Sequence, residues 1–248
     1  MLAIIGGTGL TQLSNLEVTR RQVVRTPWGE PSGALTLGRI GGHAVVFLAR
    51  HGYGHTIPPH MVNYRANIWA LRDQGATHVV SVASVGGIRP DLGPGVLALP
   101  HQIIDYTWGR KSTFFEGDER GVVHADFTHP YCQSLRERCL EAAQLAGEPL
   151  IEGGVYACSQ GPRLETAAEI DRMEGDGADM VGMTGMPEAA LAREIDLCYA
   201  AIAVVANFAA GRAGSSEGIR MDEINATLQT ALTKVRRVIE QLAKSYAR

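Results

Sequence analysis

The sequence predicts one α/β domain over residues 1–248, built on a mixed, largely parallel central sheet flanked by helices. Short apolar runs that end in glycine or a polar residue alternate with amphipathic helical segments along the chain. The run YAAIAVVA from Tyr199 suits a strand covered on both faces, as in parallel sheets. No linker, charge block or repeat divides the 248 residues, which are enough to bury a full core.

The first strands are predicted at residues 3–5, 34–37 and 44–49. The first strand leads into the sequence GGTG, where consecutive glycines let backbone N–H groups approach an anion and the Thr8 hydroxyl adds a donor. This loop lacks the complete GxGxxG and GK[ST] signatures, so a tight structural turn is an equal alternative.

Arg50 and His51 directly follow the third predicted strand. The guanidinium is a planar fork of donors that suits a phosphate, and the imidazole adds another donor. A lone arginine in this position is more often the partner in a surface ion pair. A binding loop is favoured here because the same loop continues with four rigid or polar residues, His55, Pro58, Pro59 and His60.

The middle of the chain is predicted to contain a helix, two strands and a long loop. The helix covers residues 63–74 with its first residue, an Asn, as N-cap, and the strands lie at 77–84 and within 96–106. Residues 109–126 form a loop whose length is unusual unless it covers a site or an interface. His124 lies in this loop, where simple surface exposure is the alternative to a functional role.

The remaining chain alternates helices with strands. Pro187 marks a helix start, because proline is favoured at the first helical position. Apolar residues recur at spacings of three and four from Ile224 to Leu242, which predicts a closing amphipathic helix that packs on the sheet or on a partner chain. The other elements are helices at 130–146 and 167–174 and strands at 155–159, 178–183 and 199–207.

Polar residues stand at the ends of several predicted strands. In parallel α/β sheets, ligands bind beyond the carboxyl ends of the strands. We therefore expect Ser84, Thr184 and Asn207 to share one site with the GGTG loop and the Arg50-His51 pair.

The composition indicates a small-molecule partner. A net charge of −3 without a Lys/Arg cluster provides no electrostatic footprint for nucleic acid or an anionic membrane. The first residues lack a basic segment and no apolar run approaches a membrane span, so we expect a cytoplasmic protein. The four cysteines show neither metal-ligand spacing nor a dense disulfide pattern, which predicts reduced thiols.

The motifs GGTG, ARHG, NYRANIWAL, GPR, MTGMPEAALARE and CYAAIAVVANF together resemble those of the trimeric purine nucleoside phosphorylases, in the same order. Within that family the chain is similar to the methylthioadenosine phosphorylase branch. The resemblance implies phosphorolysis of a purine nucleoside to the free base and ribose 1-phosphate. It also implies inorganic phosphate as a co-substrate, no metal or redox cofactor, and a homotrimer.

The resemblance further implies roles for individual residues. Met183 would contact the ribose, and His124 would reach across a subunit boundary toward the 5′ end of the sugar. Leu164 stands where the family has an aromatic side chain on the base. The implied phosphate-binding residues are Thr8, Arg50, His51, Thr184 and the backbone of Ser84. The implied catalytic residues are Arg50, His51 and Asn207.

Asn207 is the departure from the family that selects the predicted substrate. Methylthioadenosine phosphorylases carry Asp at this position and again where this chain has Ala209. A carboxylate only accepts hydrogen bonds, which suits the 6-amino group of adenine, whereas an amide can donate to a 6-oxo group and accept from N7–H.

Met221 aligns with the His that 6-oxopurine enzymes use for the 5′-hydroxyl. Its apolar, polarizable side chain suits a methylthio group, with plain helix core as the alternative. Together with Asn207, it predicts S-methyl-5′-thioinosine as the substrate.

Other functions stay open at this point. The nearest is a methylthioadenosine phosphorylase or a broad 6-oxopurine nucleoside phosphorylase in which Asn207 tolerates either base. A nucleoside hydrolase is disfavoured by the phosphate-binding set. A non-catalytic dinucleotide-binding module is disfavoured because the acidic residue expected about 20 positions after GGTG, following a second strand, is missing.

Overall fold

The computed structural model describes residues 1–117 and 121–246. Within them, eleven strands form one sheet and five α-helices pack on its faces. The strands are β1 (Leu2–Gly6), β2 (Glu17–Gln22), β3 (Leu35–Ile40), β4 (His43–Ala49), β5 (His78–Gly87), β6 (Leu97–Leu99), β7 (Gln102–Asp105), β8 (Ile151–Glu152), β9 (Val155–Cys158), β10 (Met180–Gly182) and β11 (Cys198–Phe208). The helices are α1 (Tyr64–Asp73), α2 (Gln133–Ala146), α3 (Ala167–Gly175), α4 (Gly185–Glu194) and α5 (Met221–Ser245).

The sheet is mixed and its centre is parallel, as the sequence predicts. One path runs β2-β3-β4-β1-β5-β10-β9-β7, and a branch leaves β5 through β11 and β6 to β8. The neighbours β4, β1, β5 and β11 are all parallel, so their carboxyl ends lie at one edge. Antiparallel pairs occur at the β2-β3-β4 hairpins, between β6 and β11, and between β10 and the end of β5.

Both faces of the sheet are covered, and strand β11 shows this most clearly. Ala200, Ile202 and Val204 pack in a core with α2 and α5, whereas Ala201 and Ala203 pack in a second core with α1 and α4. This alternation explains why the strand reads as an uninterrupted apolar run.

Local signals account for the helix boundaries. The Asn63 side chain accepts a hydrogen bond from Ala66 N over 3.1 Å and caps α1, as predicted. Thr166 and Glu169 form a reciprocal capping box at the start of α3. Helix α2 ends at Gly147, whose φ of 68° is accessible to glycine at little cost.

The sequence predicts the start of α4 correctly but misses two features of the sheet. Although α4 is counted from Gly185, Met186 is extended (φ −116°, ψ 140°), so the regular helix starts at Pro187 as predicted. The strand predicted within residues 96–106 is two strands, β6 and β7, separated around Pro100. Strand β2 escaped prediction because EVTRRQ is exposed at the sheet edge and has no apolar face to alternate.

The cysteines also differ from the expectation of four reduced thiols. Cys132 and Cys198 form a disulfide with a Cα–Cα distance of 5.2 Å, while Cys139 and Cys158 are free and buried. Cys132 precedes α2, Cys198 begins β11, and a backbone bond from Cys132 N to Tyr199 O (2.8 Å) holds these segments together. A separation of 66 residues gives no recognisable spacing, so only the tertiary structure reveals the pair.

Two features are absent from the described residues. None of their helices is long and apolar enough to cross a membrane. In the same residues, no group of three or more His, Cys, Asp or Glu side chains is arranged to hold a metal ion.

Candidate active site

A cavity of about 630 Å³ lies at the carboxyl edge of the parallel strands. It collects nine of the ten predicted site residues, and their roles stay predictions. Each comes from an expected strand end or turn, except Met221 at the start of α5. These residues are Thr8, Arg50, His51, Ser84, Leu164, Met183, Thr184, Asn207 and Met221.

The sheet register explains why distant segments meet here. Thr8 follows β1, Arg50 follows β4 and Ser84 lies near the end of β5, so three parallel neighbours deliver them side by side. Strand β10 runs antiparallel to the end of β5, with Val181 opposite Gly86. The chain beyond β10 therefore returns toward Ser84 and brings its polar residues into the same cavity.

The GGTG loop lies very close to the neighbouring strand. A Cβ atom on Gly7 would lie 2.5 Å from Val82 O and 3.0 Å from Arg50 Nη1. Only glycine permits this approach, so a larger residue at position 7 would prevent the GGTG loop from packing against β5 and the Arg50 guanidinium.

Arg50 is a buried ion-pair partner as well as a cavity residue. Arg50 and Glu188 have side chains that are 0% exposed, and Nε and Nη2 of Arg50 donate to the two oxygens of Glu188 over 2.8 Å each. Nη2 also donates to Ser81 Oγ (2.5 Å), and Nη1 donates to Val82 O (3.0 Å). Burial alone would lower the pKa of Arg50, but the Glu188 carboxylate outweighs it and holds that pKa above its ordinary value.

This pairing changes what Arg50 offers a ligand. Four of its five N–H groups have acceptors in the protein, which leaves one Nη1–H for the cavity. The donor fork that the sequence predicts for a phosphate is therefore used mostly within the protein, and the phosphate contact of Arg50 stays a prediction. The ion pair of the alternative is present, but its partner is buried and not at the surface.

His51 is neutral and presents an acceptor. Burial and the neighbouring Arg50 charge lower the pKa of His51 from 6.5 to about 4. Nδ1 lies 2.8 Å from Ile57 O, and because a carbonyl only accepts, Nδ1 carries the proton. Nε2 of the neutral ring then has a lone pair. The neutral ring therefore offers an acceptor at Nε2 where the sequence predicts a further donor, and this acceptor suits a protonated oxygen of phosphate or a hydroxyl group.

Asn207 lies where β11 becomes irregular. The register between β11 and β5 shifts between Val205 and Asn207, which pairs with Gly86. Nδ2 of Asn207 donates to Phe208 O over 2.6 Å. Its second N–H and its Oδ1 remain for a ligand, so the amide keeps the donor and acceptor that the sequence argument requires.

Glu165 is a cavity residue that sequence analysis missed. Its Oε1 accepts a 2.5 Å hydrogen bond from Ser159 Oγ, which orients the carboxylate from the end of β9. Of the neighbouring residues, Leu164 lines the cavity, whereas Arg163 at the end of the GPR motif forms an exposed ion pair with Glu169. A carboxylate directly after Leu164 was the available signal.

Part of the cavity lining is apolar. Met221 is 59% exposed at the start of α5, which rules out the alternative of plain helix core. Ile219, Ile224 and Leu228 line the cavity beside it. This part of the cavity can accommodate an apolar substituent without an unsatisfied polar group.

His124 lies apart from the other predicted site residues. It is exposed, and it does not line the cavity of its own chain. Residues 118–120 of its loop lie outside the described part of the chain.

With this geometry established, sequence comparison identifies the family. The profile of the Phosphorylase superfamily matches residues 1–244. This chain belongs to that superfamily. The match spans all strands of the sheet, helices α1 to α4, and α5 up to residue 244.

Three members of the superfamily are similar to this chain over most of its length. The chain is 52% identical over 240 residues to the probable S-methyl-5′-thioinosine phosphorylase of Pseudomonas syringae pv. tomato, covering 97% of each chain. It is 46% identical over 218 residues to the 6-oxopurine nucleoside phosphorylase of Pyrococcus furiosus, covering 86% and 81%. A solved methylthioadenosine phosphorylase from Schistosoma mansoni in complex with adenine superposes with a TM-score of 0.93 at 33% identity, covering 99% and 91%.

Proposed function

We propose that this phosphorylase cleaves S-methyl-5′-thioinosine with inorganic phosphate, giving hypoxanthine and 5-methylthioribose 1-phosphate. The observation that carries the proposal is one cavity lined both by the Asn207 amide and by the apolar side chains at the start of α5. Relatives named as S-methyl-5′-thioinosine phosphorylases, at about half identity over nearly the whole chain, support it.

The base would be distinguished by two side chains. Hypoxanthine presents an oxygen at position 6 and hydrogens at N1 and N7. Asn207 can donate to the 6-oxo oxygen and accept from N7–H, and the Glu165 carboxylate can accept from N1–H. Adenine presents an amino group at position 6 and a bare N1, so both pairs would be mismatched. Each buried mismatch costs about 1–3 kcal/mol.

The site would accelerate the reaction by stabilising the charges that develop at both ends of the breaking bond. As C1′–N9 breaks, positive charge grows on the ribosyl ring and negative charge on the purine. A phosphate oxygen forms the new bond to C1′, and the purine leaves as neutral hypoxanthine with the proton that the phosphate dianion carried. Arg50, Thr8 and Thr184 would donate to the phosphate, and His51 Nε2 would accept from its protonated oxygen.

A 6-oxopurine nucleoside phosphorylase of broader range is the second candidate. The exposure of Met221 favours it, because an open 5′ end would also admit a 5′-hydroxyl.

A spectrophotometric comparison of S-methyl-5′-thioinosine, methylthioadenosine and inosine, each with and without phosphate, tests the proposal. We expect the highest kcat/KM for S-methyl-5′-thioinosine and no turnover without phosphate. Equal kcat/KM for methylthioadenosine would overturn the base assignment. Equal kcat/KM for inosine would favour the broader enzyme, and turnover without phosphate would indicate a hydrolase.

The proposal extends to the co-substrate, the cofactors, the oligomeric state and the location of the enzyme. Phosphate is a co-substrate, and no metal or redox cofactor takes part. We also propose a homotrimer, supported by the resemblance to trimeric phosphorylases and by the position of His124 outside its own cavity. We propose a cytoplasmic location from the sequence. The Cys132–Cys198 disulfide points the other way, because such bonds are more common in oxidising compartments.

A further inference from the structure

Two segments that leave adjacent strands form neighbouring walls of the cavity. Strands β9 and β10 pair in parallel as far as Cys158 and Gly182, and Ser159 N then donates to Gly182 O over 2.8 Å. We call residues 159–165, which bring Leu164 and Glu165 into the cavity, the base turn. Residues 183–186, which bring Met183 and Thr184 into it, are called the ribose segment.

Arg110 lies between these two walls and bonds both. Its Nη1 donates to Met183 O (2.9 Å) and Met186 O (2.6 Å) in the ribose segment. Its Nη2 donates to Gln160 O (2.8 Å), and its Nε donates to Gln160 Oε1 (3.2 Å), in the base turn. The planar guanidinium therefore bonds the ribose segment through Nη1 and the base turn through Nη2 and Nε.

The loop that carries Arg110 is itself anchored. Thr113 Oγ1 and Phe114 N donate to the two oxygens of Glu194 at the end of α4, over 2.6 Å and 2.7 Å. The Arg110 guanidinium also lies over the Tyr64 ring, 5.4 Å from its centroid. Its position is thus fixed by contacts with α4 and α1 as well as with the two walls.

Direct packing between the walls makes their relative position matter. The Met186 N–H donates over 3.2 Å to Sγ of Cys158, the residue that directly precedes the base turn. A Cβ atom on Gly161, whose φ is 62°, would lie 2.5 Å from Met183 Sδ. A small displacement of one wall would therefore be transmitted to Met183, the side chain that the family resemblance places against the ribose.

We propose that Arg110 is a positioning residue that holds the base turn and the ribose segment in register, so that base, sugar and phosphate are bound in reactive alignment. Arginine suits this task because its fork reaches carbonyl groups on both sides at once. Lysine has a single ammonium group that cannot bond both walls in the same geometry. The proposal rests on the proposed function only for its kinetic readout.

Hydrogen–deuterium exchange of Arg110→Gln tests the structural half of the proposal independently of activity. We expect faster exchange in peptides covering both the base turn and the ribose segment, with β1 and α5 unchanged. Wild-type exchange in either wall would overturn the proposal. Arg110→Lys keeps the charge and the aliphatic stem, and it is measured in the same way, so the test holds if the glutamine variant does not fold.

Kinetics test the functional half. Calorimetric titration with hypoxanthine counts competent sites, and kcat per competent site separates misalignment from loss of folded protein. We expect kcat to fall about 10- to 100-fold in Arg110→Lys, with the hypoxanthine Kd changed by no more than about threefold, because alignment is lost while each wall still binds. Unchanged kcat with loosened walls would overturn the proposal. If wild type neither binds hypoxanthine nor phosphorolyses a nucleoside, the proposed function fails and the exchange result still decides the role of Arg110.

Lys111→Gln is the matched control. Lys111 is the next residue of the loop and forms an exposed ion pair with Glu116 at 2.9 Å. Surface pairs of this kind contribute little, so we expect wild-type exchange and wild-type kcat.

Discussion

At the scale of single residues, Asn207 links sequence to substrate most directly. It follows the bulge at the end of β11, and its Oδ1 and second N–H are available to a ligand after Nδ2 bonds Phe208 O. An amide at this point can both donate and accept, and a carboxylate of nearly the same shape can only accept. The choice of base therefore depends on hydrogen-bond polarity, because the two side chains fill the same space.

Asn207→Asp should shift preference toward 6-aminopurine nucleosides. The ratio of kcat/KM for S-methyl-5′-thioinosine over methylthioadenosine should fall about 10- to 100-fold, since each mismatched buried pair costs about 1–3 kcal/mol. The measurement is initial rates on both nucleosides at saturating phosphate. Asn225→Asp, an exposed change of the same chemistry on α5, serves as the control. An Asn207→Asp enzyme with an unaltered ratio would show that the amide is not the selector.

His51 should make the folded protein sensitive to acid. The pKa of its buried ring is about 4, against 6.5 when unperturbed, so between these values the unfolded chain binds a proton that the folded chain does not. The stabilising contribution of the neutral ring is complete above about pH 6.5 and is lost as the pH falls toward 4. Urea unfolding of His51→Gln should consequently show a smaller loss of stability across this window than wild type does.

The control for this pH effect is His43→Gln, a change at the start of β4 outside the cavity. Its loss of stability should match that of wild type over the same pH range. If the His51 and His43 variants lose stability equally, the neutral buried state of His51 is wrong.

Which site residues could be predicted from sequence depends on how local their signal is. Thr8, Ser84 and Asn207 follow or end apolar runs, so strand-end reasoning finds them. Glu188 could not be found, because its partner Arg50 lies 138 positions away and only the fold brings the charges together. Arg110 escaped for the same reason, since it bonds mostly backbone carbonyls, and any residue type supplies those.

At the scale of elements, the same distinction holds between buried and exposed strands. Strand β11 was predictable because both of its faces are buried and every position except Asn207 is apolar. The edge strand β2 has charged residues on an exposed surface, so hydrophobic periodicity carries no information about it. The branch at β5 was equally invisible, since pairing with β1, β10 and β11 depends on register and not on composition.

The link between α2 and β11 gives a prediction at this scale. The Cys132–Cys198 disulfide closes a loop over a separation of 66 residues. Cys132→Ser should therefore lower the free energy of unfolding by about 2–4 kcal/mol without reductant, because the unfolded chain regains entropy. Denaturant unfolding of the variant and of wild type measures this difference.

Reductant provides the internal control for the disulfide. In its presence the two proteins should unfold at nearly the same urea concentration. A difference that is the same with and without reductant would mean that the bond does not form. Alkylation of denatured, unreduced wild type should correspondingly label two thiols, those of Cys139 and Cys158.

At the scale of the whole molecule, the position of His124 makes a prediction about assembly. The residue is exposed and lies outside its own cavity, while the proposed trimer would let it reach the 5′ end of the sugar in a neighbouring subunit. Two inactive variants should then complement each other.

In a mixed trimer, a His124→Ala subunit contributes an intact Asn207 cavity, and an adjacent Asn207→Ala subunit contributes an intact His124 to it. Co-expression with two affinity tags, followed by tandem purification, isolates these mixed assemblies, and light scattering gives their mass against the 26.6 kDa of one chain. Phosphorolysis by the mixed assemblies should clearly exceed that of either variant alone, because only a site shared between subunits can be rebuilt in this way. Mixed trimers no more active than the two pure variants would assign His124 to its own subunit or to no site at all.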